Sequence, residues 1–149
     1  MSARTTPASS TLDSLRFAHS GESLAGEYPV SEMSRLQDML ASDEGTIRFR
    51  LRGEQSAGRP ALRLHVDAEL SLVCQRCLEA YMQPVHVESV MPVARDEREL
   101  ALWEQDDPLI DAQLADPRLD VRTLVEDEIL LSLPIMPRHT DGDCTPGLV

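Results

Sequence analysis

"TIRFRLRGEQSAGRPALRLHVDAELSLV", residues 46–73, decides the fold class. In its first seven residues Ile47, Phe49 and Leu51 alternate with Arg48, Arg50 and Arg52. That period of two belongs to a strand with one face on a core and the other toward water. "GEQSAGRP" is rich in turn formers, and alternation resumes in Leu62, Leu64, Val66, Ala68, Leu70 and Leu72. Two such runs joined by a turn make an antiparallel hairpin with an apolar and a polar side.

Working outward, "YMQPVHVESVMPV" (81–93) is a third strand-like run. Pro84 and Pro92 cannot donate to a ladder, so an edge or bulged strand is expected. "CQRCLEA" is short enough to be the turn joining the second and third runs. Upstream, "SEMSRLQDML" combines the N-cap residue Ser31 with Met33, Leu36 and Leu40 at helical spacing, which predicts a short amphipathic helix. Residues 13–30 show no regular period, being interrupted by Gly21, Gly26 and Pro29. Downstream, Asp120 caps "VRTLVEDEILLSL", whose Val121, Leu124, Val125 and Ile129, with Leu131 or Leu133, predict a buried helix face ended by Pro134. Residues 96–128 hold twelve acidic residues against Arg98, Arg118 and Arg122, and 96–119 is expected to be a long acidic loop with Trp103 as a local anchor.

The chain has 149 residues and no apolar run of 18, which fits one soluble domain. A chain of this size buries roughly 68–70% of its unfolded surface, so one core can hold it without disulfides or metal. "MSARTTPASST" has no apolar segment of the kind a secretory signal needs, and a cytoplasmic protein with a disordered tail at 1–12 is expected. The net charge is −12, and all 14 basic residues are Arg. An acidic chain is repelled by nucleic acid as a whole, so any phosphate contact has to be local.

Such a locality exists. Arg48, Arg50, Arg52, Arg59 and Arg63 place five of the 14 arginines within 16 residues, most of them on one strand face together with His65. Arg forks match phosphate oxygens, and screening confines the repulsion from the rest of the chain to about 8 Å at physiological salt. The competing reading is a solvated sheet face, or one covered by the chain's own acidic segment. Aromatic residues are few and Phe49 falls on the apolar side, so base stacking on an exposed aromatic platform is not expected.

The second constellation is Cys74, Cys77, His139 and Cys144. Two residues between thiolates on a β-turn let both sulfurs reach about 2.3 Å from one tetrahedral ion, and H-x4-C could supply the other two ligands of a structural zinc. Partly buried thiols with a loop histidine are the plain alternative. A redox pair is disfavoured because no helix N-terminus follows the turn to lower a thiol pKa. A Cys–His nucleophile would need an oxyanion site that no segment suggests. Gly-rich phosphate loops, G-x-S-x-G and H-E-x-x-H are all missing from the sequence.

Taken in order, the strand pair, "CQRCL" at 74–78, the acidic stretch and "VEDEILLSLPIMPRH" at 125–139 resemble the YceD family, the bacterial large ribosomal RNA subunit accumulation proteins. The resemblance covers roughly residues 12–144. It implies a role in building or maintaining the large ribosomal subunit through its RNA, and it supplies no catalytic residue. The family's paired cysteines correspond to Cys74 and Cys77, and its C-terminal His and Cys to His139 and Cys144, which raises the prospect that the four meet.

The expected architecture is a single α+β domain over 13–144. It has a mostly antiparallel sheet, an N-terminal and a C-terminal helix on the apolar face, the acidic loop at 96–119, and a tail at 145–149. The expected function is a non-enzymatic ribosome-biogenesis factor whose partner is ribosomal RNA or a large-subunit assembly intermediate, with no membrane association. The acidic segment is a candidate contact for a basic ribosomal protein. The alternatives are a small zinc- or thiol-dependent enzyme, or a protein–protein adaptor acting through the acidic loop.

Overall fold

In the computed structural model, residues 3–6 and 11–133 are described. The central hairpin forms as its alternation requires: β5 (Thr46–Ser56) and β6 (Arg59–Val73) pair antiparallel, with Arg48 opposite Asp67 and Ser56 opposite Arg59. Ala57 and Gly58 close it with φ of 53° and 78°. A two-residue turn with both φ positive matches the right-handed twist of the strands, and Gly58 takes this conformation without strain.

The remaining elements are laid on this hairpin. In chain order they are β1 (Ala3–Thr6), β2 (Thr11–Leu12), α1 (Ser14–Ser20), β3 (Ser23–Pro29), β4 (Leu40–Ser42), β7 (Ala80–Ala94), α2 (Glu97–Asp106), β8 (Gln113–Leu114), β9 (Leu119–Asp120) and α3 (Val121–Ser132). The sheet runs β1-β3-β5-β6-β7-β8, and β4 pairs with β6 beyond the end of β5. The β3–β5, β5–β6, β6–β7 and β4–β6 ladders are antiparallel, whereas β1–β3 and β7–β8 are parallel. β2 and β9 form a separate antiparallel pair. The fold is therefore α+β around a mostly antiparallel sheet. β7 meets β8 only at Val93 and Ala94, so Pro84 lies on an open edge among the described residues, where a missing N–H costs little.

One face of the sheet is the core. Ile47, Leu51, Leu64, Val66, Leu70 and Leu72 are fully buried there, and Tyr28 stacks on Phe49 with ring centroids 5.1 Å apart. α1 crosses this face at Gly53, where a Cβ would lie 2.1 Å from the Phe17 carbonyl oxygen. The Gly53 N–H also donates to the Glu22 carbonyl at 2.9 Å. α3 follows Asp120, whose carboxylate accepts from the Thr123 N–H. It buries Val121, Leu124, Val125 and Ile129 as its spacing predicts, while Leu131 stays 78% exposed.

Three local expectations are corrected. The N-terminal helix is α1, starting at the cap Asp13 and ending at Gly21 in the left-handed region, whereas residues 31–40 form two 3-10 segments, Val30–Glu32 and Ser34–Met39. A three-residue turn serves Met33 and Leu36, both fully buried, and Leu40 then enters β4. The acidic stretch contains α2, whose start is capped by Asp96 accepting from the Glu99 N–H. Helix α2 buries no residue, so no apolar stripe announced it. Residues 3–6 and 11–12, expected within a disordered tail, pair as β1 and β2.

The Ser34–Met39 segment is tied to α3 by a buried carboxylate. Glu126 is 5% exposed and accepts from the Arg35 backbone N–H at 2.7 Å and from its Nε at 3.3 Å, while Arg35 also pairs with Asp127. Glu128, 7% exposed, is held above the ordinary carboxyl value by desolvation.

Candidate nucleic-acid interface

The register places the polar side chains of four strands in rows across the sheet. One row is Glu27, Arg48, Asp67 and His86; the next is Ala25, Arg50, His65 and Glu88; the third is Ser23, Arg52, Arg63 and Val90. Alternation alone put the arginines on one face, but only pairing shows that Arg50 stands opposite His65 and Arg52 opposite Arg63. Basic side chains directly opposite one another destabilise a sheet.

The sheet answers part of this repulsion internally. Arg63 donates to Glu54 through Nε at 2.8 Å and Nη2 at 3.1 Å, and to Glu88 through Nη1 at 2.8 Å. Arg52 reaches Glu54 at 3.2 Å. The Arg63 hydrogen bond, aided by Arg52, holds the Glu54 carboxyl below its usual range against the opposing effect of burial. Asp67 and the imidazole Nδ1 of His86 lie 2.6 Å apart, and that bond pulls the histidine above its ordinary value. Glu54 and Glu88 lie at positions whose parity matches the arginine row, and this was the signal available for finding them.

The five candidate arginines thus have different surroundings. Arg63 is held by two carboxylates, Arg52 shares one of them, and Arg59 lies over the Trp103 ring, 4.8 Å from its centroid. Arg48 and Arg50 are exposed and make no ion pair among the described residues. The two flank a depression of about 590 Å³ whose wall includes Ala25, Gly26 and His65. Among the described residues Arg59 meets the acidic segment through the Trp103 ring, and the carboxylates paired with Arg52 and Arg63 come from the sheet itself.

Cys74 and Cys77 sit on the turn between β6 and β7. The Leu78 N–H donates to the Cys74 carbonyl at 2.7 Å and the Cys74 N–H to the Glu79 carbonyl at 2.9 Å, with Leu78 at φ 65°. Cys74 is buried and Cys77 partly exposed. His139 and Cys144 lie outside the described residues. Among the described residues no group of three or more His, Cys, Asp or Glu is placed to hold a metal ion, and no helix is long and apolar enough to cross a membrane.

The model of the family "Large ribosomal RNA subunit accumulation protein YceD" matches residues 62–148, more than half of the chain. The chain belongs to the YceD family. A similar relative is the "Large ribosomal RNA subunit accumulation protein YceD" of Haemophilus influenzae (strain ATCC 51907 / DSM 11121 / KW20 / Rd), 27% identical over 146 residues, covering 90% of this chain and 77% of that one. No solved structure matches. The YceD match begins at Leu62, so β7, the cysteine turn and α3 lie inside it, and of the five candidate arginines only Arg63 does.

Proposed function

We propose that this YceD-family protein is a non-enzymatic ribosome-biogenesis factor that supports the synthesis, processing or accumulation of large-subunit ribosomal RNA. It acts in the cytoplasm by laying the polar face of its sheet on the RNA backbone. The observation that carries this reading is the opposition of Arg52 and Arg63 on neighbouring strands, beside the exposed Arg48 and Arg50. A face built only for solubility gains nothing from placing cations opposite one another. A phosphodiester bound over them turns that repulsion into attraction.

On this reading Arg48 and Arg50 contact phosphate directly, and Arg52, Arg59 and Arg63 add field. The partner is ribosomal RNA or a large-subunit assembly intermediate. The acidic segment, with Glu97, Glu104 and Asp106 on α2 beside the 55%-exposed Leu102, offers a surface for a basic ribosomal protein. Cys74, Cys77, His139 and Cys144 are the side chains proposed to hold a structural zinc, which would tie the C-terminal stretch to the hairpin turn; metal analysis of the purified protein tests this part separately.

The functional test is depletion of the protein in cells, followed by quantification of ribosomal RNA and subunit profiles. The expected result is a selective shortage of large-subunit RNA over small-subunit RNA. Equal amounts of both would remove the proposal.

A further inference from the structure

Beyond the Arg48 row, the polar face changes character. Following the strands by two residues brings Glu69 opposite Pro84, and the next pair is Ser71 opposite Met82. Alternate residues of a strand succeed each other by about 7 Å, so the rows of Arg50, Arg48 and Glu69 follow one another within about 14 Å. The depression beside Arg50 and a second groove of about 1030 Å³ share Arg48 and Asp67 in their walls. The two adjoin at these side chains, and the second is lined also by Glu44, Glu69, Ser42, Ser71, Met82 and Pro84.

Phosphate is attracted to Arg48 and Arg50, which share the first depression with Glu27 and Asp67, and repelled by the acidic lining of the second, so an RNA strand that enters must put something other than phosphate over Glu44 and Glu69. Bases can go there. Glu69 is exposed and forms no ion pair among the described residues, unlike Asp67, which is engaged by His86. The neighbour facing it across the ladder, Pro84, is uncharged. Met82, 56% exposed, and Pro84 supply an apolar surface against which a ring can lie. A carboxylate offers two acceptors side by side. Among the four bases, guanine alone presents two adjacent donors on its Watson–Crick edge, N1–H and the N2 amino group. Cytosine and adenine pair one amino donor with a ring acceptor that a carboxylate repels, and uracil has a single donor between two carbonyls. The edge must be unpaired to be read, which selects single-stranded RNA over duplex.

We propose that the two adjoining depressions form a single-stranded RNA site that reads one unpaired guanine through Glu69, with the adjoining phosphates on Arg48 and Arg50. This specificity rests on the RNA-binding reading above and adds a base preference to it.

The experiment is fluorescence anisotropy with the full chain and labelled uridine decamers: one all uridine, one with a single central guanosine, and one with inosine at that position, which lacks the N2 amino group. A bidentate contact of this kind is expected to favour the guanosine decamer by about tenfold. Inosine should lose most of that advantage, and Glu69→Gln should bring the guanosine and uridine decamers to equal affinity. Arg48→Ala with Arg50→Ala should weaken both. Binding of all three decamers with equal affinity by the wild-type protein would overturn the guanine site while leaving the RNA-binding reading intact. Absence of binding to any of them would overturn both.

Discussion

Arg52 and Arg63 stand directly opposite each other on β5 and β6, and both donate to one carboxylate, Glu54. Glu54, with Glu88 on Arg63, therefore offsets the repulsion between the two guanidiniums. Its partners are not equal. Arg63 is 28% exposed and makes a two-pronged contact, whereas Arg52 is 54% exposed and water screens most of its contribution. Glu54→Gln is expected to cost about 2 kcal/mol in chemical denaturation, mainly through the charged hydrogen bonds to Arg63. Because the carboxyl is held below its ordinary value of 4.5, this stability is present above that pH and fades as pH falls through the lower folded value. The same variant should bind RNA more tightly, since it leaves the arginines uncompensated. A variant as stable as the wild type, with unchanged RNA affinity, would show that the bridge has no role in solution.

His86 and Asp67 give a second pH dependence of opposite sign. The hydrogen bond to Asp67, with its negative charge, raises the imidazole above its ordinary value of 6.5. The pair's contribution is then fully present below pH 6.5 and is lost as pH rises through the higher folded value. Proton NMR of the His86 ring should give a midpoint above 6.5, returning toward it in Asp67→Asn. A wild-type midpoint at or below 6.5 would mean that the contact is not made.

Gly53 tests the docking of α1. A methyl group there would meet the Phe17 carbonyl at 2.1 Å, backbone against backbone, with no flexible side chain to give way. Gly53→Ala is expected to destabilise by about 3 kcal/mol through forced separation of α1 from β5. Hydrogen exchange should show protection lost first in residues 14–20. Unchanged stability would mean that the helix does not lie where the structure places it.

The central hairpin was legible because alternation is dictated by a core on one side and water on the other, and α3 because Asp120 and four apolar residues mark its start and face. The stretch at 31–40 misled for a physical reason: positions 33 and 36, three apart, suit both an α-helix and a 3-10 turn, while Leu40, four further on, has left the turn to pair with β6. Asp13 and Gly21 were the readable marks of α1, hidden by a segment too short to show a period. For the site, periodicity revealed which arginines share a face, but register decides which charges oppose, and register is set by pairing between distant segments. Of the five candidate arginines, Arg48 and Arg50 make neither ion pair nor ring contact among the described residues, while Arg63 is held twice because Glu54 and Glu88 arrive from two different strands.

The central claim is that the basic face acts on large-subunit RNA through Arg48 and Arg50. The direct measurement is large-subunit ribosomal RNA in cells depleted of the native protein and supplied with the doubly substituted chain, Arg48→Gln with Arg50→Gln. Both positions are exposed and without ion pairs among the described residues, so the variant should fold, which a thermal melt verifies. The account predicts that wild-type protein restores large-subunit RNA and that the double variant, at equal abundance, does not. Full restoration by the double variant would contradict it.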